Sequence, residues 1–244
     1  EVLRARLRRT AAADPLSKLD ADAVERVDTE LAERENVTLA ALAEVSIFRE
    51  GDVSRGEELA RKALEVAERD ESKVLALEVL NTVAWWRGRL TEGEGYAQEQ
   101  LEIARRLGRA DLESEALLLV ARVYTSRQED DRAEPLIERA KALAEESGSL
   151  TARAHAYMQS GELYGWRRRD EEALEEYERA RELFAEVGAA THLAKAMLRI
   201  ASTVRRAGDL EEAEKLAREG IRILKPLEDR GTLCEVQRFL AEVL

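Results

Sequence analysis

The chain has one cysteine, Cys234, three prolines, two histidines and 13 glycines in 244 residues. A lone cysteine forms no internal disulfide and cannot build a thiolate metal site, so a disulfide scaffold is excluded and a reducing compartment is the default. So few prolines and glycines leave too few chain breakers for the turns of a sandwich or barrel. No run approaches the roughly 20 apolar residues of a membrane-spanning helix. The opening Glu1-Val2-Leu3-Arg4 lacks the apolar core of a signal peptide. Basic residues are in deficit, 39 against 51 acidic for a net charge of −12, and such a chain repels phosphate backbones and anionic headgroups. These absences predict a cytoplasmic protein that binds neither nucleic acid nor membrane directly.

Motifs with a chemical mechanism are missing as well. There is no phosphate-binding glycine loop, no H-E-x-x-H and no G-x-S-x-G. His155 and His192 lack a histidine or cysteine at ligand spacing. No metal, cofactor or catalytic activity is expected.

What the chain does have is a repeat. A shift of 40 residues superimposes Gly108, Gly148 and Gly188, and likewise Gly93, Ala133, Ala173 and Ala213. The same shift aligns Leu80-Asn81, Val120-Ala121, Ser160-Gly161, Ile200-Ala201 and Leu240-Ala241, whereas Gly56 precedes Gly93 by 37. Within a unit the apolar period is helical, as in Leu77, Leu80 and Ala84, then Ala97, Leu101 and Ala104. Two helices per unit follow. First helices are predicted near 37–49, 72–87, 111–126, 150–167 and 189–206. Their partners run near 53–69, 91–107, 131–147, 171–186 and 211–225. Helices at 1–12 and 16–34 precede these, and a last one runs from about 229. The pairs Ser54/Glu57, Thr91/Glu94 and Asp131/Glu134 read as capping boxes opening second helices, with Pro135 in an opening turn.

Gly161, Tyr164, Ala173, Tyr177 and Ala180 resemble the tetratricopeptide repeat, as do Ile200-Ala201, Gly208-Asp209, Ala213, Ala217 and Gly220. Asn81 and Glu44 stand in columns where that pattern has a small residue. The resemblance implies an all-α, right-handed solenoid of antiparallel helix pairs. Residues 1–244 form one domain: an N-terminal helix pair over 1–36, five repeats over 37–228, and the start of a sixth repeat or a capping helix over 229–244. Units of about 40 residues are similar to those of bacterial multidomain regulators, such as the MalT-like arm of large activators and signalling ATPases. The missing initial methionine and the apolar last helix predict a segment of a longer chain.

In such a solenoid the first helices line a concave surface. The family's inward columns fall on Phe48, on Glu78, Thr82 and Trp85, and on Leu118, Arg122 and Thr125. They continue with His155, Met158, Glu162 and Trp166, then Lys195, Leu198, Ser202 and Arg205. Aromatic and arginine side chains are the usual anchors of binding surfaces. The tryptophans also suit a plug beside the interhelical turn, and both readings stand at this point. Arg167, Arg168 and Arg169 read as a solvated turn edge, Cys234 as small apolar filler, and the acids from Asp170 to Glu178 as helix-dipole complements. The expected function is non-catalytic binding of a peptide or protein in the groove, as the sensor or interaction arm of a larger bacterial regulator. The alternative is a small-ligand sensor domain of the MalT-like or signalling-ATPase type. Basic groups near the groove centre favour an acidic or carboxylate-bearing partner.

Overall fold

The computed structural model describes residues 17–48, 50–227 and 229–244, with side chains from residue 32 onward and not at Phe48. The described residues are helical throughout, without a strand. The helices are α1 (Ser17–Phe48), α2 (Val53–Val66), α3 (Asp70–Trp86), α4 (Leu90–Leu107), α5 (Ala110–Ser126) and α6 (Asp130–Ser147). Then come α7 (Leu150–Trp166), α8 (Asp170–Glu186), α9 (Ala190–Arg206), α10 (Leu210–Leu224) and α11 (Arg230–Val243), with a 3-10 turn at Lys225–Leu227. The helix expected at 1–12 lies outside the described residues. No helix among the described residues is long and apolar enough to cross a membrane.

Each helix packs against the next, and first helices also meet across repeats, α5 on α7 and α9 on α11. Helix α1 additionally meets α11, which brings the two ends of the stack into contact. Two helices were expected over 16–34 and 37–49, but α1 runs through Glu35 and Asn36 unbroken. Asn36 spends its amide on tertiary structure instead of on a cap, donating from Nδ2 to the Ala63 carbonyl at 2.7 Å.

The core is a strip of alanine and aliphatic side chains between the two helix layers, from Ala97 and Leu101 through Val120, Ile137 and Leu163 to Ile200, Leu216 and Phe239. Its spacing is set by the small columns. At Gly161 a Cβ would come within 2.6 Å of the Tyr177 ring, so α7 and α8 meet at backbone distance only because nothing is there. In the first unit the small position belongs to Ala43, which is fully buried, and Glu44 lies one residue on. The equivalent Asn81 is also fully buried. Its Nδ2 donates to the Gly93 carbonyl at 2.7 Å, an approach the bare Gly93 leaves open.

The predicted capping boxes do not form. Helices α4 and α6 begin at Leu90 and Asp130, so Thr91 and Asp131 already lie inside the first turn and cannot cap it, while α2 is capped by Asp52. The earlier start also puts Pro135 in the second turn of α6. The acids serve the next repeat instead. Arg87, Arg127 and Arg167, spaced by 40, follow the first helices and reach back to Glu57 (2.8 Å), Glu94 (2.6 Å) and Glu134 (2.7 Å). Arg206 continues the ladder onto Asp170 at 2.5 Å. Each partly exposed pair is worth at most about 1 kcal/mol, but together they fix the stagger between repeats. Arg167 and Asp170 are thereby removed from the solvated-edge and helix-dipole roles, and Glu176, only 7% exposed, holds Lys141 at 3.2 Å.

Positive backbone φ recurs at the turn after each first helix. Gly88 (68°) and Gly208 (95°) hold it without cost, whereas Gln128 (61°) and Arg168 (60°) carry side chains through the same conformation.

Gly161→Ala is expected to lose about 1–3 kcal/mol by overpacking against Tyr177. Gly95→Ala, in open space on the exposed face of α4, should gain about 0.5–1 kcal/mol from helix propensity. Urea unfolding of the two variants checks the pair, and equal effects would contradict the packing register.

Candidate functional site

Four successive first helices, α3, α5, α7 and α9, turn one row of side chains each toward the inside of the stack. Between them lies a single groove of about 850 Å³. Its walls hold Glu78, Thr82 and Trp85, then Leu118 and Arg122, then His155, Met158, Glu162 and Trp166, then Lys195, Leu198 and Ser202. Two expected residues are elsewhere. Arg205 is drawn to α11, pairing with Glu242 at 3.0 Å and lying over the Phe239 ring, and Thr125 bonds back to the Ala121 carbonyl. Phe48 ends α1, and its side chain lies outside those described.

The tryptophans divide between the two readings. Trp85 is built into the wall: its Nε1 donates to Ser126 Oγ at 2.7 Å, and the Arg122 guanidinium lies 5.1 Å from the ring centroid. Trp166 is 66% exposed at the groove edge and plugs nothing. Arg168, read earlier as solvated edge, also lines the groove, and Cys234 is exposed on α11 instead of filling the core.

Residues 152–225 match the family pattern of the tetratricopeptide repeat. Solved structures agree over nearly the whole chain. A signal-transduction ATPase (STAND) protein with a tetratricopeptide-repeat sensor, from Pyrococcus horikoshii, superimposes with a TM-score of 0.57 at 22% identity, over 87% of this chain and 33% of that one. Aspartyl phosphate phosphatase F from Bacillus subtilis gives 0.63 at 15% identity, over 92% of this chain and 61% of that one. A Rap protein complexed with competence and sporulation factor gives 0.59 at 18% identity, over 99% and 72%. No curated protein matches the chain in sequence. The fold is a tetratricopeptide-repeat solenoid. The chain spans about a third of the length of the archaeal ATPase.

The groove is charged unevenly along its length. Toward α9 and α11, opposite charges answer one another. Arg199 bonds Glu162 at 3.1 Å and approaches Glu235 at 3.7 Å, linking α7, α9 and α11. Burial works against the Arg199 cation, but those two carboxylates hold its pKa above the ordinary arginine value. Lys195 is pulled the other way, its pKa lowered by burial. Beside it His155, His192 and Phe184 form a ring cluster with centroids 5.0 to 5.4 Å apart. His155 is lowered to about 4, by burial first and by the Lys195 charge second. His192 is lowered to about 4 by burial, then by His155 and Lys195. Both rings are therefore neutral at pH 7, hydrogen-bonding groups and not cations.

At the centre Arg122 donates from Nη2 to Asn81 Oδ1 and feels Glu162 and Glu78. Burial lowers its pKa below the ordinary arginine value. Toward α3 the balance changes. Glu78 and Glu115 line the groove and make no ion pair among the described residues. Burial raises Glu78, and Glu44 raises it further against the pull of Arg122. Glu115 is pushed up to about 7 by burial, then by Glu78 and Asp111, with Arg109 opposing.

Several groove residues were not picked out of the sequence although the repeat contains them. Glu115 shares the 40-residue column of His155 and Lys195, and Leu119, Gln159 and Arg199 form another. Others had no such signal. Phe184, Tyr177 and Gln100 come from second helices and reach the groove floor between the first helices.

The histidines give a test of this environment. Their folded pKa lies below the ordinary 6.5, so as pH falls from about 6.5 toward 4 the unfolded chain takes up protons that the folded one refuses. Stability due to these rings is complete above about pH 6.5 and declines on acidification through that window. NMR titration should place both imidazoles near pH 4, and ordinary titration of His155 near 6.5 would show the cluster open to water.

Proposed function

We propose that the chain is a non-catalytic binding and scaffolding module, the sensor or protein-interaction arm of a larger bacterial regulatory protein, holding a peptide or protein partner along its inner groove. The observation that carries this reading is one continuous cavity lined by four successive first helices, a shape matched by an elongated occupant. Trp166, exposed at its edge, is the sort of aromatic anchor on which interface affinity concentrates. Phe48, at the end of α1, and Arg205, on the α11 side of the stack, extend the surface toward its two ends in this reading. The similar Rap protein is described in complex with competence and sporulation factor, and the similar ATPase as carrying a repeat sensor.

A second reading, a sensor for a small ligand, is supported by the contact between α1 and α11, which draws the ends of the stack together. A groove of 850 Å³ also falls within the roughly 300–1,000 Å³ of ligand pockets. A peptide occupant leaves the groove edges in use; a small ligand needs only its centre.

Selection of random displayed peptides on the immobilised chain separates these readings. The selected peptide should bind Trp166→Ala about thirtyfold more weakly, the equivalent of about 2 kcal/mol for an aromatic anchor, with thermal unfolding unchanged. Arg139→Ala, exposed on the outer helix α6, should bind normally. Enrichment of no peptide, or equal loss in both variants, would remove the groove reading.

A further inference from the structure

The α3 end of the groove combines two features that the rest of it lacks. The first is a pair of carboxyl groups without a hydrogen-bonded or ion-paired partner. Glu78 on α3 and Glu115 on α5 line the cavity, and neither carboxylate has a hydrogen bond or ion pair among the described residues. The cations nearby are engaged. Arg109 is held by Asp111 at 2.6 Å; Arg122 is bonded to Asn81 through Nη2, lies over Trp85 and is shared between Glu78 and Glu162, with its buried Nε left without a partner.

The second feature is Gln100 on α4. It is fully buried and lines the same cavity, and both of its amide atoms, Oε1 and Nε2, lack a partner. Its column in later repeats holds Ala140, Ala180 and Gly220, small residues that need nothing. A buried primary amide left wholly unsatisfied costs about 1–3 kcal/mol for each lost partner, so its position implies a partner that arrives with the occupant.

We propose that Glu78, Glu115 and Gln100 form a subsite for a primary ammonium group carried by the groove's occupant, either a lysine side chain or the amino terminus of a peptide. This deepens the peptide reading of the groove and rests on it. An ammonium offers three N–H donors, which the oxygens of two carboxylates and one amide suffice to accept, and the Gln100 Nε2 remains to donate to an adjacent peptide carbonyl. Carboxylate and amide oxygens are hydrogen-bond acceptors, the chemistry that an ammonium's N–H groups require. The polarity also orients the occupant, its positive group at α3 and its remaining length toward α9.

Protonation follows from the same arrangement. Glu115 is raised to about 7 and Glu78 above its ordinary value. The groups that face them are Glu44 on α1, Arg109 at the cap preceding α5, Asp111 and Arg122 on α5, and His155 and Glu162 on the α7 wall. A bound ammonium favours the ionised carboxylates, so binding releases protons and strengthens as pH rises through about 7.

The probes are three capped amino acids: N-acetyl-lysine methylamide, with only a side-chain ammonium; norleucine methylamide, with only an α-ammonium; and N-acetyl-norleucine methylamide, with neither. NMR follows the Gln100 side-chain amide and the Glu78 and Glu115 carboxyl carbons in the full chain. The expected result is a saturable shift, in the millimolar range at about pH 7, where both ammonium groups are still charged, with one or both ammonium probes and none with the neutral probe, weakened about tenfold at about pH 5.5. The preferred ammonium probe identifies the source of the charge. Glu78→Gln and Glu115→Gln should each abolish the shift while circular dichroism shows the helical fold intact. If no ammonium probe shifts the folded wild-type protein, or the neutral probe does so equally, the subsite is refuted. Selected peptides that still bind in that case leave the groove reading standing. A saturable ammonium shift without any selected peptide would keep the subsite and discard the peptide reading.

Discussion

A helix pair of about 40 residues cannot cover its own apolar face, and everything in this molecule follows from the way the next pair covers it. The fit is possible because alanine and glycine stand where the helices cross. Where Gly161 lies on the ring of Tyr177, the distance between backbones is decided by a missing Cβ. Burial of the strip from Ala97 to Phe239 then supplies the stabilisation, and the arginine ladder of Arg87, Arg127, Arg167 and Arg206 fixes how far each pair is staggered against the last. Stacking of this kind leaves one face of every first helix without a neighbour, and those faces make the groove.

Once the groove exists, its chemistry depends on which residues the repeats place there. The repeat columns are not filled uniformly. One column reads Leu75, Glu115, His155 and Lys195, moving from apolar through acidic to basic along the stack. The positive half is knitted together by Arg199, Glu162 and Glu235, and its histidines are kept neutral. The negative half has carboxylates without partners, and the unsatisfied Gln100 amide lines the same cavity. A chain with a net charge of −12 that nevertheless buries acids together is maintaining a local cost.

From α3 onward the helix pairs and their boundaries to within a residue or two were legible in the sequence, because a 40-residue period repeats the same packing problem several times. What misled was local. Thr91/Glu94 and Asp131/Glu134 have capping-box spacing, but the helices start earlier and the acids take arginines from the following repeat, a contact no local pattern encodes. Asn36, which lies between the two helices expected there, sits inside α1 and is a tertiary donor to Ala63. Asn81 looked like a flaw in the small column and joins Gly93 to Arg122 across two repeats. In the groove, the first-helix residues lie in repeat columns, although Glu115, Gln159 and Arg199 were not singled out from them. Gln100 and Phe184 had no such signal, because a second-helix side chain reaches the inside only where two first helices part.

The chain contains two methionines, and they divide the central claim between them. Met158 lines the groove, and Met197, 3% exposed, is packed in the core beneath it. With methyl-labelled methionine the protein therefore gives two signals, one from each side of the first-helix layer. Titration with a peptide selected on the chain should move the Met158 methyl and leave Met197 in place. A bound peptide that leaves Met158 unmoved would contradict the groove as the binding surface.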